Sequence, residues 1–465
     1  MASALTAAAT DAGAAAATRT VAVSPPTAAA GDAQVTTLPC GVRVASERVD
    51  GVRSIALGFW IRCGSRDESE ELAGVSHFLE HLLFKGSARY SSREIDELFD
   101  ALGAEANAGT GKETTSVYAR FLDRHLERAF DALQDMVLRP VYAEVDSERQ
   151  VILEEIAMYE DEPQDRVHDL LARALFADHP LGRPILGRAE VIANVPVAVV
   201  GRYHDERYRP RNVVVAAAGS VDHGRLCELV EQAFADQPAE PGPTELPADA
   251  PAHYGASVRF QRKDTEQFHV CVGAPGLARG DERRFALRVL DTILGGSSSS
   301  RLFQEVREKR GLAYSVYSYA SQFVDCGQVA IYVGTRPDRV TESLEVIGRE
   351  LRRLVEEGIT DDELERAREN AKGRTVLAME STLARMNRLG GSLLTGVPLL
   401  SLDEVLERYD AVTADDVVAL AGELWQPDRL VAAAIGRDEE VWRRGLEALA
   451  PALAEAAAQA AEATG

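Results

Sequence analysis

His77, Glu80 and His81 stand together in the run Gly74-Val75-Ser76-His77-Phe78-Leu79-Glu80-His81-Leu82-Leu83-Phe84-Lys85-Gly86. The run reads as a helix. On a helix the i, i+4 spacing stacks both imidazoles on one face, one turn apart, where a single divalent ion can take a nitrogen from each. Glu80 comes one turn after His77 on nearly the same face, within reach of a water in the ion's open coordination position. The order His-x-x-Glu-His is the inverted form of the familiar zinc-peptidase helix motif. The plain alternative is an amphipathic helix with surface histidines. Phe78, Leu79, Leu82, Leu83 and Phe84 count against it, because they imply a largely buried helix, where polar groups need partners.

A hydrolytic zinc site wants three protein ligands and one open position. An acidic helix expected over residues 146–159 offers Glu148, Glu154 and Glu155. Glu148 and Glu155 are seven apart and share a face, whereas Glu154 is turned about 100° from Glu155. A solvated acidic helix face would show the same spacing.

The elements around these residues follow from periodicity. Residues 35–62 alternate apolar and polar positions and read as two strands. After the metal helix, Ser91-Ser92 opens a helix over 93–102 that Gly103 ends. A strand pair over 105–121, an amphipathic helix over 122–138 closed by Pro140, a strand at 213–216 and a helix over 225–234 complete the first part. Residues 236–254 are Pro-rich and without periodicity, as in a linker.

Beyond the linker the pattern restarts. Ser91-Ser92-Arg93 through Gly103 matches Ser299-Ser300-Arg301 through Gly311, an offset of 208. Asp123-Arg124 matches Asp338-Arg339 at an offset of 215, and Pro210 to Gly219 matches Pro427 to Gly436 at 217. Small offsets rising in order are the mark of a duplicated domain with loop drift. The offset of 208 carries His77, Glu80 and His81 onto Phe285, Arg288 and Val289, and that of 215 carries Glu148 onto Glu363 and Glu155 onto Asn370. The second copy therefore keeps the helices and has no metal site, so the fold does not require the motif. Loss of the carboxylate at 370 singles out Glu155 as the third ligand.

The expected fold is α+β, with two duplicated domains, each a mixed or antiparallel sheet packed with helices. The expected organisation is a disordered tail at 1–33, a zinc-binding peptidase domain at 34–235, the linker at 236–254, a degenerate duplicate at 255–445 and an Ala-rich tail, helical and exposed, at 446–465. A formal charge of −23 argues against nucleic acid or an anionic membrane as partner. Five scattered cysteines without C-x-x-C spacing fit reduced residues of a cytoplasmic protein. The N-terminal stretch lacks the basic and apolar regions of a signal peptide, and no run has the length of a membrane span.

The metal-helix run, together with Glu148-Arg149-Gln150-Val151-Ile152-Leu153-Glu154-Glu155, resembles the pitrilysin/insulinase family of zinc peptidases. The likeness spans residues 35 to about 445. It is closest to the branch that holds the catalytic subunit of mitochondrial processing peptidase and its bacterial relatives. The resemblance implies His77, His81 and Glu155 as Zn2+ ligands, Glu80 as general base and Glu148 as an accessory carboxylate behind the ligands. It also implies that Glu105-Ala106-Asn107-Ala108-Gly109-Thr110 is the edge strand against which an extended peptide pairs, with Asn107, Ala108, Gly109 and Thr110 touching substrate. By the same likeness Arg307 and Tyr314, in the second copy, reach substrate near the zinc, Tyr314 as donor to the developing oxyanion. The motif Gly109-Thr110-Gly111-Lys112 is not a phosphate loop, since Ala106 and Glu113 stand where Gly and Ser/Thr belong.

The resemblance further implies a zinc metalloendopeptidase acting on extended or unfolded peptides, each chain forming half of a clam-shell chamber. A homodimer is the simplest arrangement, and a heterodimer with an inactive paralogue is the alternative. The competing function is a noncatalytic scaffold subunit with the same fold.

Overall fold

The computed structural model describes residues 19–21, 33–238, 246–248 and 255–462. Most of the N-terminal tail and of the Pro-rich linker lie outside the described residues. A short ribbon pairs Arg19–Val21 (β1) with a strand from the linker region.

The first half is built on six strands: Ala33–Thr37 (β2), Arg43–Arg48 (β3), Ser54–Ile61 (β4), Glu105–Thr110 (β5), Thr115–Leu122 (β6) and Val213–Gly219 (β7). Residues 35–62 thus hold parts of three strands where two were expected, because a turn at 38–42 breaks the first. The order is β2-β3-β7-β4-β6-β5, antiparallel throughout except for the β3–β7 pair. Its helices are Val75–Leu83 (α1), Ser92–Leu102 (α2), Leu126–Leu138 (α3), Val145–Asp161 (α4), Pro163–Phe176 (α5), Ala189–Asn194 (α6), Val197–Arg207 (α7) and His223–Ala233 (α8). Ser91 caps α2 through a reciprocal pairing with Glu94, and Gly103 ends it in the left-handed conformation, as the sequence signals imply.

Leu246–Ala248 (β8) is the partner of β1. The second half follows with Ser257–Arg262 (β9), Phe268–Gly276 (β10), Ala313–Gln322 (β11), Gly327–Thr335 (β12) and Val431–Gly436 (β13). Their order is β11-β12-β10-β13-β9, again antiparallel except for β13–β9. Read from the opposite edge, this is the order and polarity of β5-β6-β4-β7-β3. The helices are Arg284–Leu294 (α9), Val340–Glu356 (α10), Asp361–Ala378 (α11), Thr382–Thr395 (α12), Leu402–Asp410 (α13), Ala414–Leu424 (α14), Glu439–Leu449 (α15) and Pro451–Glu462 (α16). Phe285, Arg288 and Val289 lie on α9, and Glu363 and Asn370 on α11.

Two features depart from the sequence reading. The boundary drawn at 445 falls inside α15, and the last stretch is no exposed tail: Leu446, Leu449, Leu453 and Ala457 are buried in the second core. Alanine and glutamate dominate the composition there, but the sparse leucines at helical spacing supply an apolar stripe. The helix expected after Ser299-Ser300-Arg301 is wound as a π turn over Phe303–Glu308.

The halves exchange helices. Val167, Leu171 and Leu175 of α5 pack on Cys271 of β10 and Val431, Ala433 and Ile435 of β13. Reciprocally, Met386, Leu389 and Leu393 of α12 pack on Trp60, Val214 and Ala216 of the first sheet. Gly390 lets α12 approach, since a Cβ there would lie 2.3 Å from the Trp60 ring. Arg66, Glu113, Asp325 and Arg279 form a second junction: Arg66 donates to Glu113 at 2.8 Å and to both oxygens of Asp325 at 2.7 and 2.6 Å, and Arg279 lies 2.9 Å from Glu113. A buried charge cluster of this kind fixes one arrangement, because any other would strand a desolvated charge.

Candidate metal centre and peptide edge

Helix α1 is anchored before it begins. Gly74 takes a φ of 101°, a conformation that favours glycine, and a Cβ there would meet the Leu186 carbonyl oxygen at 2.6 Å. No side chain of the helix caps its first turn. Glu68, 4% exposed, supplies the missing acceptor, its two oxygens each receiving a backbone N–H at 2.7 Å, from Gly74 and from Ser76. Burial pushes the Glu68 carboxyl up to about 7 against the pull of those hydrogen bonds.

The anchored helix turns His77 and His81 toward α4. Their rings lie 4.6 Å apart, centroid to centroid. Glu155 Oε2 is 3.7 Å from His77 Nε2 and 3.6 Å from His81 Nε2. Among the described residues this is the one group of three or more His, Cys, Asp or Glu side chains with ligand atoms within 4.8 Å of one another. Glu154, its neighbour, is exposed. Tetrahedral ligand atoms about 2.0–2.1 Å from a metal are separated by roughly 3.3 Å, so these spacings and the N,N,O donor set fit zinc. Burial, with His81 beside it, depresses the His77 imidazole to about 4, which keeps it in the neutral form that ligates.

The two histidines are held differently. His81 Nδ1 is 2.7 Å from Glu148 Oε1, leaving Nε2 for the cluster, and Lys85 Nζ reaches the other Glu148 oxygen at 2.9 Å. Among the described residues, His77 Nδ1 is buried without a hydrogen-bond partner. Its ring is fixed by packing.

Glu80 lies beside the cluster, and Thr110 Oγ1 donates to its Oε2 at 2.6 Å. Burial raises the Glu80 carboxyl, while the Thr110 hydroxyl and His81 pull it down. Thr110 closes β5, the free edge of the first sheet. Asn107, Ala108 and Gly109 lie on the same edge, and the Ala108 N–H donates to Asn107 Oδ1 at 2.8 Å. The asparagine thus masks one of the strand's free donors, as expected of an edge protected from unwanted pairing.

Arg307 and Tyr314 are paired with each other, and among the described residues neither is hydrogen-bonded or ion-paired to the cluster. The guanidinium sits 4.4 Å from the Tyr314 ring centroid and donates to the Tyr314 carbonyl at 3.1 Å. Tyr314 is 75% exposed. It is the second residue of β11, whose far end, at Gln322, adjoins the Arg66–Glu113–Asp325 junction. Eight residues of strand, about 27 Å, separate Tyr314 from that end.

A cleft of about 430 Å³ between the halves was not foreseen from sequence; Lys112, His168, Asp169, Tyr317 and Tyr319 line it. His168 Nδ1 is 2.6 Å from the Tyr319 hydroxyl. These residues come from both halves, and no local spacing marks them.

Residues 43–189 match the family model described as insulinase (peptidase family M16), and residues 194–371 match that of the peptidase M16 inactive domain. An uncharacterized zinc protease of Streptomyces coelicolor is 47% identical over 401 residues, 85% of this chain and 87% of that protein. The chain belongs to the insulinase family. A second insulinase-family relative, an uncharacterized zinc protease of Bacillus subtilis, is 42% identical over 84% of this chain and 95% of its own. A third, from Rickettsia felis, is 32% identical over 84% and 94%. Among solved structures, a protease from Helicobacter pylori superposes with a TM-score of 0.82 at 23% identity, covering 87% of this chain and 99% of its own. A peptidase M16 inactive domain from Pseudomonas fluorescens gives 0.81 at 23%, over 88% and 98%. At that identity the likeness speaks to the insulinase-family fold. Among the described residues, no helix is long and apolar enough to cross a membrane.

Proposed function

We propose that this chain is a zinc-dependent endopeptidase that hydrolyses extended peptides. The observation that carries the reading is the convergence of His77 Nε2, His81 Nε2 and Glu155 Oε2 beside a half-buried Glu80 that is itself bonded to the free strand. Zinc in that cluster supplies Lewis acidity, which acidifies a water and polarises the scissile carbonyl. Glu80 takes the proton of the attacking water and returns it to the leaving amine. β5 aligns the substrate by main-chain pairing, which selects unfolded or extended backbone. Asn107 must swing aside to free the Ala108 N–H for that pairing.

The chain acts as a homodimer in this reading, with Arg307 and Tyr314 supplied to the partner's zinc site. Tyr314 is exposed at the strand end distant from its own junction, which favours service in trans. There the Tyr314 hydroxyl donates to the developing oxyanion, and Arg307 braces the ring. Five cysteines without a disulfide fit a cytoplasmic location. Cleavage of a quenched fluorescent peptide by wild type and Glu80→Gln, side by side, tests the reading.

A further inference from the structure

Glu148 is 4% exposed, and its carboxylate has two side-chain partners among the described residues, His81 Nδ1 at 2.7 Å and Lys85 Nζ at 2.9 Å. Lys85 lies two residues past the end of α1, its backbone N–H bonded to the Leu82 carbonyl, so its reach toward α4 is set by the helix end. An ammonium can only donate. With Oε2 committed to Lys85, the carboxylate turns Oε1 to His81 as a pure acceptor. Nδ1 must then carry the ring proton, and Nε2 keeps a free lone pair for a metal.

The second half supplies a control. Glu363, the counterpart of Glu148, is clamped at both oxygens by Arg301, at 2.7 and 2.9 Å. Where His81 stands in the first half the second has Val289, and at the place of Lys85 it has Ile293. Arg93, the counterpart of Arg301, is spent on Glu97 instead. Both copies therefore neutralise this carboxylate, buried at Glu148 and half-buried at Glu363, with a cation. A fork that takes both oxygens is used where no imidazole needs orienting, and a single ammonium that leaves one oxygen free is used where His81 does.

We propose that Lys85 is a positioning residue for the metal centre: it orients Glu148 so that the carboxylate fixes the His81 ring and its tautomer for zinc. The inference rests on the zinc-site reading above. Its test uses the full-length protein and the variant Lys85→Met, with thermal unfolding to check that both are folded. Zinc affinity is measured by competition with a chromophoric chelator, and the His81 tautomer by nitrogen-15 NMR of the metal-free, histidine-labelled protein. Wild type should bind one zinc and show a single Nδ1–H tautomer at His81. Lys85→Met should bind zinc about 10–100-fold more weakly, the range for loss of a group behind a ligand, and lose that single tautomer. If Lys85→Met does not fold, Lys85→Leu, which also removes the donor, is read in the same way. Zinc binding within twofold of wild type with an unchanged His81 tautomer would overturn the proposal. Failure of wild type itself to bind zinc would instead overturn the zinc-site reading.

Discussion

The Thr110 hydroxyl donates to Glu80 Oε2 at 2.6 Å, tying the proposed base to the last residue of the free strand β5. Proton transfer and substrate pairing are thereby placed on one rigid unit, since β5 is paired along its length with β6. The hydroxyl also holds the Glu80 carboxyl below where burial alone would leave it.

Thr110→Val keeps the side chain's shape and removes that donor. The Glu80 carboxyl should rise, and because the base must be deprotonated to act, the acidic limb of the kcat/KM profile should move to higher pH. A hydrogen bond to a charged group is worth about 1.5–3 kcal/mol and one pH unit about 1.4, so the limb should move by about one to two units. Peptide cleavage across pH 5 to 9 checks it; an unmoved limb with an intact fold would show that Thr110 does not tune the base.

The buried His77 predicts an acid sensitivity of the metal-free protein. Its imidazole is depressed to about 4 in the folded chain, against about 6.5 when exposed. Between those values the unfolded chain holds a proton that the folded chain refuses, so stability falls as pH drops through this window, by up to about 1.4 kcal/mol per unit. Denaturant melts of metal-free wild type and His77→Gln from pH 7 to 4 should show the shallower dependence in the variant.

Gly390 of α12 lies against Trp60 of the first sheet, the clearest mark of the exchanged helices. Gly390→Ala puts a methyl where the ring already is. Overpacking of this kind costs about 1–3 kcal/mol, and here it should loosen the joint between the halves. The check is a melt alongside Gly391→Ala, whose Cβ would meet nothing within 4 Å among the described residues and which should stay near wild type.

If Tyr314 serves the partner's site, Glu80→Gln and Tyr314→Phe are each impaired as homodimers and complement each other when mixed. Random pairing gives mixed dimers with one intact site, or roughly a quarter of the wild-type sites overall. No recovery on mixing, with subunit exchange confirmed by native mass spectrometry, would argue for action in cis.

How much of this the sequence carries depends on the range of the interaction. His77, Glu80 and His81 are legible because four residues of helix bring them together, and Glu155 because the duplicated copy has Asn370 in its place. The cap box of Ser91 and Glu94 is equally local. Lys85 and Glu148 are 63 positions apart and meet only once α1 and α4 pack, so no spacing announces them. Nor does any pattern announce the exchange of α5 and α12, whose apolar stripes read identically whichever sheet they cover. Tyr314 stands out from the surface with Arg307 stacked on it, an arrangement that the π turn over Phe303–Glu308 makes and that no sequence spacing announces.

The central claim is that Glu80 and a zinc held by His77, His81 and Glu155 form a peptidase centre. The most direct measurement is cleavage of a quenched, unstructured peptide by zinc-loaded wild type and zinc-loaded Glu80→Gln, with metal content determined on the same samples. The account predicts one zinc per chain in both, cleavage by wild type that stops on chelation, and a loss of at least about 100-fold in the variant. Equal cleavage by the two proteins, or stoichiometric zinc in a wild type that cleaves nothing across a broad peptide panel, would contradict it.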